Sequence, residues 1–130
     1  MKNNVRNFFY NKNGGSTPRK NCFWIQYGNK KYLVSYRTIV ASIDDRGKFE
    51  KYWNDYSVTT MNQIVCFIRL FDKNTVIRSD TGEIINFIGK KEWLEMETSE
   101  LDMDVSSYIR PYLPMVEYGD FDYVRKMTYC

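Results

Sequence analysis

The 130-residue chain contains no histidine. That absence removes the commonest general base at neutral pH, the Ser-His and Cys-His nucleophile pairs, and the commonest nitrogen ligand of transition metals. Cysteine is sparse: Cys22, Cys66 and Cys130 are widely spaced and form no C-x-x-C pair, which argues against a disulfide framework and a structural zinc site. Long apolar runs are also missing. No stretch reaches the roughly 18 to 20 residues of a membrane-spanning helix, and "MKNNVRNFFYNKNGG" lacks the apolar core of a secretory signal, so a cytosolic protein is expected. Phosphate-loop and dinucleotide fingerprints are absent, and "DMDVS" lacks the central Gly and closing Glu of a calcium loop. No cofactor is expected.

What is present suits one soluble domain. Apolar residues make up 43% and aromatics 17%, and a chain of this size buries roughly two thirds of its extended surface on folding. The net charge of +3 conceals a segregation. Residues 1–37 carry eight bases (Lys2, Arg6, Lys12, Arg19, Lys20, Lys30, Lys31, Arg37) and no acid, whereas residues 92–122 carry nine acids and one base, Arg110. Such asymmetry speaks of partners rather than of fold. The basic end, with Phe8, Phe9 and Tyr10 embedded, fits a single-strand nucleic-acid binder that tracks phosphates and stacks on bases; the bland reading is a solvated tail. The acidic end, with Glu92, Glu95, Glu97, Glu100, Asp102 and Asp104, fits a surface that imitates a nucleic-acid backbone in a basic groove; the bland reading is an ordinary solvated face.

Hydrophobic patterning predicts an α+β fold: an antiparallel meander of hairpins against one principal helix near residues 60–71, with short C-terminal helices. Residues 1–20, closing in "NKNGGSTPRK", read as a flexible basic arm, and 21–130 as the domain. "CFWIQY" and "KYLVSY" form a hairpin in which Gly28 and Asn29 supply positive φ, and "TIVASI" and "KFEKYW" form a second around "DDRG". "TMNQ" fits a capping box with Thr60 as cap and Gln63 reaching back. Met61, Ile64, Val65, Ile68 and Phe71 then make a helical stripe, which Cys66, Phe67 and Leu70 widen. "TVIR" and "EIINFI" give a third hairpin, and "EWLEME" alternates like a strand. "DVSSYI" fits a short helix capped by Asp104, and "DFDYVRKM" a last one capped by Asp120 with Arg125 and Lys126 at its end.

The remaining constellations have bland explanations. Asp44, Asp45, Lys48 and Glu50 faintly suggest a metal-dependent nuclease, but "DDRG" is an ordinary turn. Tyr56, Ser57, Thr59 and Thr60 lack a base to activate them and suit a strand exit and helix start. Trp24, Trp53 and Trp93 fall on expected strands as core anchors, while Tyr52, Trp53 and Tyr56 are candidate aromatic anchors for a partner.

Ser35, Tyr36, Thr38, Val40 and Ala41, followed by Tyr56, Ser57, Thr59 and Thr60, resemble a pattern of small bacteriophage and prophage proteins that carry a domain of unknown function. In that pattern a Ser-Tyr-x-Thr-x-Val-Ala strand precedes a Tyr-Ser-x-Thr-Thr start of an amide-rich helix. The likeness spans residues 32–67. It departs after Thr60, where a spacer with histidine often stands and here only Met61 precedes the amides. The resemblance implies a mobile-element setting and no activity. The resulting expectation is a non-enzymatic, anti-CRISPR-like inhibitor that binds a host protein, such as a nucleic-acid-binding effector, through Glu92 to Asp104 with Tyr52, Trp53 and Tyr56. The alternative is a single-stranded nucleic-acid binder using Lys2, Arg6, Phe8, Phe9, Arg19, Lys20, Lys30 and Lys31. No membrane partner is expected.

Overall fold

A computed structural model describes residues 5–7, 22–70, 75–86, 88–113 and 122–123. Their elements run β1 (Val5–Asn7), β2 (Cys22–Tyr27), β3 (Lys30–Ser35), β4 (Thr38–Asp44), β5 (Lys48–Lys51), α1 (Val58–Leu70), β6 (Val76–Arg78), β7 (Ile84–Ile85), α2 (Lys90–Glu95), α3 (Met103–Ile109), a 3-10 turn (Arg110–Tyr112) and β8 (Asp122–Tyr123). The eight strands join in the order β7-β6-β5-β4-β3-β2-β1-β8. Pairing is antiparallel except between β5 and β6 and between β1 and β8. The fold is α+β, as the patterning predicts.

The meander β2–β5 follows from turn chemistry. Gly28 takes φ 64° and Gly47 φ 89°, conformations that other residues adopt at a cost. Asn29 does not share the positive φ expected of it; the turn needs only Gly28 there. The Asp44 carboxylate accepts from the backbone N–H of Arg46 and Lys48, both at 2.9 Å, and Gly47 N–H donates to Asp44 O at 3.1 Å. Asp44 therefore builds the turn, while Asp45 lies 3.5 Å from Lys31 Nζ. Between β3 and β4, Tyr36 (φ 50°) and Arg37 (φ 68°) are both left-handed, the requirement of a type I′ hairpin turn, without the Asn-Gly that meets it cheaply.

Strand alternation divides the interior between the two faces of the sheet. Leu33, Ala41, Ile43 and Phe49 pack with Met61, Ile64, Cys66 and Phe67 of α1 and with Trp93 and Met96 around α2. Phe23, Ile25, Tyr32 and Val34 pack with Val105 and Ile109 of α3. A bulge shifts the β3–β4 register between Leu33 and Val34, so that Val40 and Ala41 both join the first cluster. The central β3, buried from Tyr32 to Ser35, is covered on both sides.

Several expectations change. Helix α1 begins earlier than the Thr60 box implies: Ser57 is the cap, its Oγ accepting from Thr60 N–H at 3.0 Å while Met61 N–H donates to Ser57 O at 3.0 Å. Thr60 and Gln63 are buried, whereas Val65 and Ile68 are only half-buried, so the inward face is rotated from the expected stripe; Cys66 and Phe67 are buried, as the widened stripe implies. Phe71 lies outside the described residues. "EWLEME" is helical, not a strand: Trp93 and Met96 turn inward at i, i+3, and Glu92 Oε1 accepts from Gly89 N–H at 2.9 Å. Trp93 is accordingly on α2, and Trp53 follows β5, which ends at Lys51. The α3 cap is Asp102, which accepts from Asp104 N–H at 2.7 Å, not Asp104. Within the N-terminal arm, Val5–Asn7 pair with β2, and within "DFDYVRKM", Asp122–Tyr123 form β8; Asp120, Arg125 and Lys126 lie outside the described residues. Cys22 is a buried thiol whose pKa burial pushes up, and Cys66 is buried on α1.

Candidate functional site

Ser35, at the end of β3, meets the first turns of α1. Its hydroxyl donates to Gln63 Oε1 and lies 3.4 Å from Thr60 Oγ1, which accepts from Ser57 Oγ at 2.9 Å. The two sequence segments at residues 35–41 and 56–60 thus converge on one buried polar junction. Gln63 is fully buried and Ser35 and Thr60 nearly so. Buried amides and hydroxyls are tolerated when bonded, and here they fix the helix on the sheet. These bonds tie the start of α1 to the end of β3.

A second polar centre joins β5, β6 and α2. Lys51 is 1% exposed, yet its ammonium donates to Trp93 O at 2.8 Å and Met96 O at 3.0 Å and lies 5.1 Å from the centre of the Trp93 ring. It satisfies carbonyls that end the helix, where negative partial charge gathers. Burial lowers its pKa, an effect opposed by the charge of Asp80. Asp80 in turn receives Arg78 Nε at 3.0 Å and Nη2 at 2.7 Å, together with Glu97 N–H at 3.0 Å. The guanidinium is the main reason that the Asp80 pKa falls from 3.8 to about 2. Trp93 Nε1 donates to Asp55 O at 2.6 Å, and Ser99 N–H donates to Lys51 O at 2.7 Å.

The aromatic anchors proposed from sequence turn toward the interior. Tyr52 is half-buried, hydrogen-bonds Ser42 Oγ at 2.8 Å and stacks on Tyr32 with centroids 6.0 Å apart; burial raises its pKa well above the usual phenol value. Trp53 and Tyr56 pack against the first core cluster, with Lys90 Nζ 5.1 Å from the Tyr56 ring centre. All three are partly buried and help to close the core, while the more exposed large apolar side chains include Tyr36, Val58 and Ile84 as well as Leu94 on α2 and Met103 on α3, the last two 53% and 82% exposed. Neither was marked by periodicity. The signal for Leu94 was the helical spacing of Trp93 and Met96, which leaves their neighbour facing out.

The acidic residues separate into two groups. Glu92 and Asp102 serve helix starts, as described. Glu95, Glu97, Glu100 and Asp104 are exposed, and none forms an ion pair among the described residues. They do not share one flat face. Helix α2 belongs to the first layer and α3 to the second, so the acids follow the chain as it passes from one side of the sheet to the other, with Leu94 and Met103 near the two ends of the run.

On the basic side, Lys30 pairs with Glu50, and Lys31 Nζ lies 3.5 Å from Asp45. Arg6 is in β1, its backbone opposite Trp24. Lys2, Phe8, Phe9, Arg19 and Lys20 lie outside the described residues. Among the described residues, no group of three or more Cys, Asp or Glu could hold a metal ion, and no helix is long and apolar enough to cross a membrane.

Together these features define a layered α+β domain whose polar junctions are internal and which exposes Glu95, Glu97, Glu100 and Asp104 without ion pairs among the described residues. The chain belongs to the family of unknown function DUF8033, whose model matches residues 1–86. No curated protein and no solved structure matches it.

Proposed function

We propose that this protein is a non-enzymatic binding protein that captures a basic surface on a larger protein through Glu95, Glu97, Glu100 and Asp104. The observation that carries this reading is that these four carboxylates are exposed and without cationic partners among the described residues, within a run that also displays Leu94 and Met103. Acids strung along a segment that passes from one side of the sheet to the other suit a groove that otherwise holds a phosphate backbone, and exposed apolar side chains supply the contact that charge alone does not. The sharper form is a phage-encoded anti-defence inhibitor, anti-CRISPR in type, acting on a nucleic-acid-binding effector in the bacterial cytoplasm. Its support is the sequence resemblance at residues 32–67. Nucleic-acid binding through the first hairpin has less support, because Lys30 and Lys31 already face Glu50 and Asp45.

The test is capture from host extract by the full chain and by a variant carrying Glu95→Gln, Glu97→Gln, Glu100→Gln and Asp104→Asn. The substitutions are exposed, so the variant should unfold at nearly the parent temperature while losing a partner that the parent releases at high salt. Equal capture by parent and variant overturns the reading. Binding of single-stranded nucleic acid by the parent, weakening steeply with salt, favours the alternative.

A further inference from the structure

Residues 88–99 are attached to the sheet differently from the rest of the first layer. They add no strand beyond a single bridge between Thr98 and Lys51. Their apolar grip consists of Ile88, Trp93 and Met96, with Trp93 set edge-on to Phe49 at 6.3 Å between centroids. The remaining ties are polar, and Lys51 stands at their centre: its ammonium holds two carbonyls of the segment and its own carbonyl holds Ser99 N–H. Asp80 adds a tie to Glu97 N–H.

A buried ammonium favours this arrangement only while all its donors are engaged, because it has given up its hydration. If the segment lifts, Lys51 regains water, and that gain offsets part of what the lost contacts cost. The meander β2–β5, held by its own ladders and by α1 and α3, does not depend on the same bonds. We propose that residues 88–99 form a strap latched by Lys51, which opens as one unit while the meander stays folded. Opening frees the Trp93 indole, uncovers Phe49 and displaces Leu94, Glu95 and Glu97 together. The strap is a property of the chain itself and does not depend on the partner reading.

Native-state hydrogen exchange on the full chain tests it. The Trp93 indole proton and the amides of Met96, Glu97 and Ser99 should exchange as a group, at least about tenfold faster than the amides of β3 and β4. In Lys51→Met, which keeps the stem but leaves the two carbonyls without their donor, the strap protons should speed up by a further ten- to hundredfold or so, with the β3 and β4 amides unchanged. Strap protons that exchange only in step with β3 and β4 in the unmodified chain overturn the proposal. So does a folded Lys51→Met chain with unaltered strap protection. Should Lys51→Met fail to fold, the exchange pattern of the unmodified chain decides.

Discussion

Gln63 illustrates how one side chain can be misread in sequence and still be decisive in the fold. The S/T-x-x-E/Q pattern fits Thr60 to Gln63, but the hydroxyl that caps α1 belongs to Ser57, and Gln63 spends its amide on Ser35 across the layer. Truncation at Gln63→Ala should therefore cost roughly 2 to 4 kcal/mol in urea unfolding, from a cavity plus broken buried hydrogen bonds. Asp80 makes a second prediction at this scale. Its folded pKa of about 2 lies below the ordinary 3.8, so the folded state binds fewer protons, and the stabilisation is complete above about pH 4 and lost as pH falls toward 2. After allowance for solvent screening the loss is roughly 1 to 2 kcal/mol. Melting temperatures recorded across that interval should drop less steeply in Asp80→Asn, which lacks the titrating group. Neither Lys51 nor Gln63 stood out as buried in the sequence, since burial of a polar side chain depends on partners brought from distant segments.

At the level of elements, the turns and strands were legible where the chemistry was local. Gly28, Gly47 and the Asp44 turn are set by residues next to them, and the β2–β5 meander follows. The turn at Tyr36 and Arg37 is the exception, because nothing in those residue types announces two successive positive φ angles. Replacing the pair by Tyr36→Asn and Arg37→Gly should raise stability by about 1 kcal/mol, measured by chemical denaturation, since the left-handed conformation then costs less. Helix α2 was illegible for a different reason. Six residues give too few periods to separate a helix from a strand, and what decides is the pull of Lys51 and Asp55 on Trp93, a contact across 38 residues or more. The acidic candidates split for the same reason, since the helix starts claim Glu92 and Asp102.

For the whole molecule, the family match and the folding unit differ in extent. The match ends at residue 86, but Lys51, Asp55 and Asp80 within it find partners at Trp93, Met96 and Glu97 beyond it. A chain stopped after Asn86 would lose α3 as well as residues 88–99, so that Phe23, Ile25 and Val34 would lack Val105 and Ile109 over the second face of the sheet. Such a chain should show no cooperative thermal transition, whereas one stopped after Leu113 should. The parallel pairing of β5 with β6 carries a consequence for how the chain reaches this state. The hairpins of β2–β5 close short loops, while β6 must wait for α1 to cross the sheet before it can add its edge. Rate measurements on valine or alanine substitutions should therefore find the β3–β4 contacts largely made at the folding barrier, and those of β6 and β7 made on its far side.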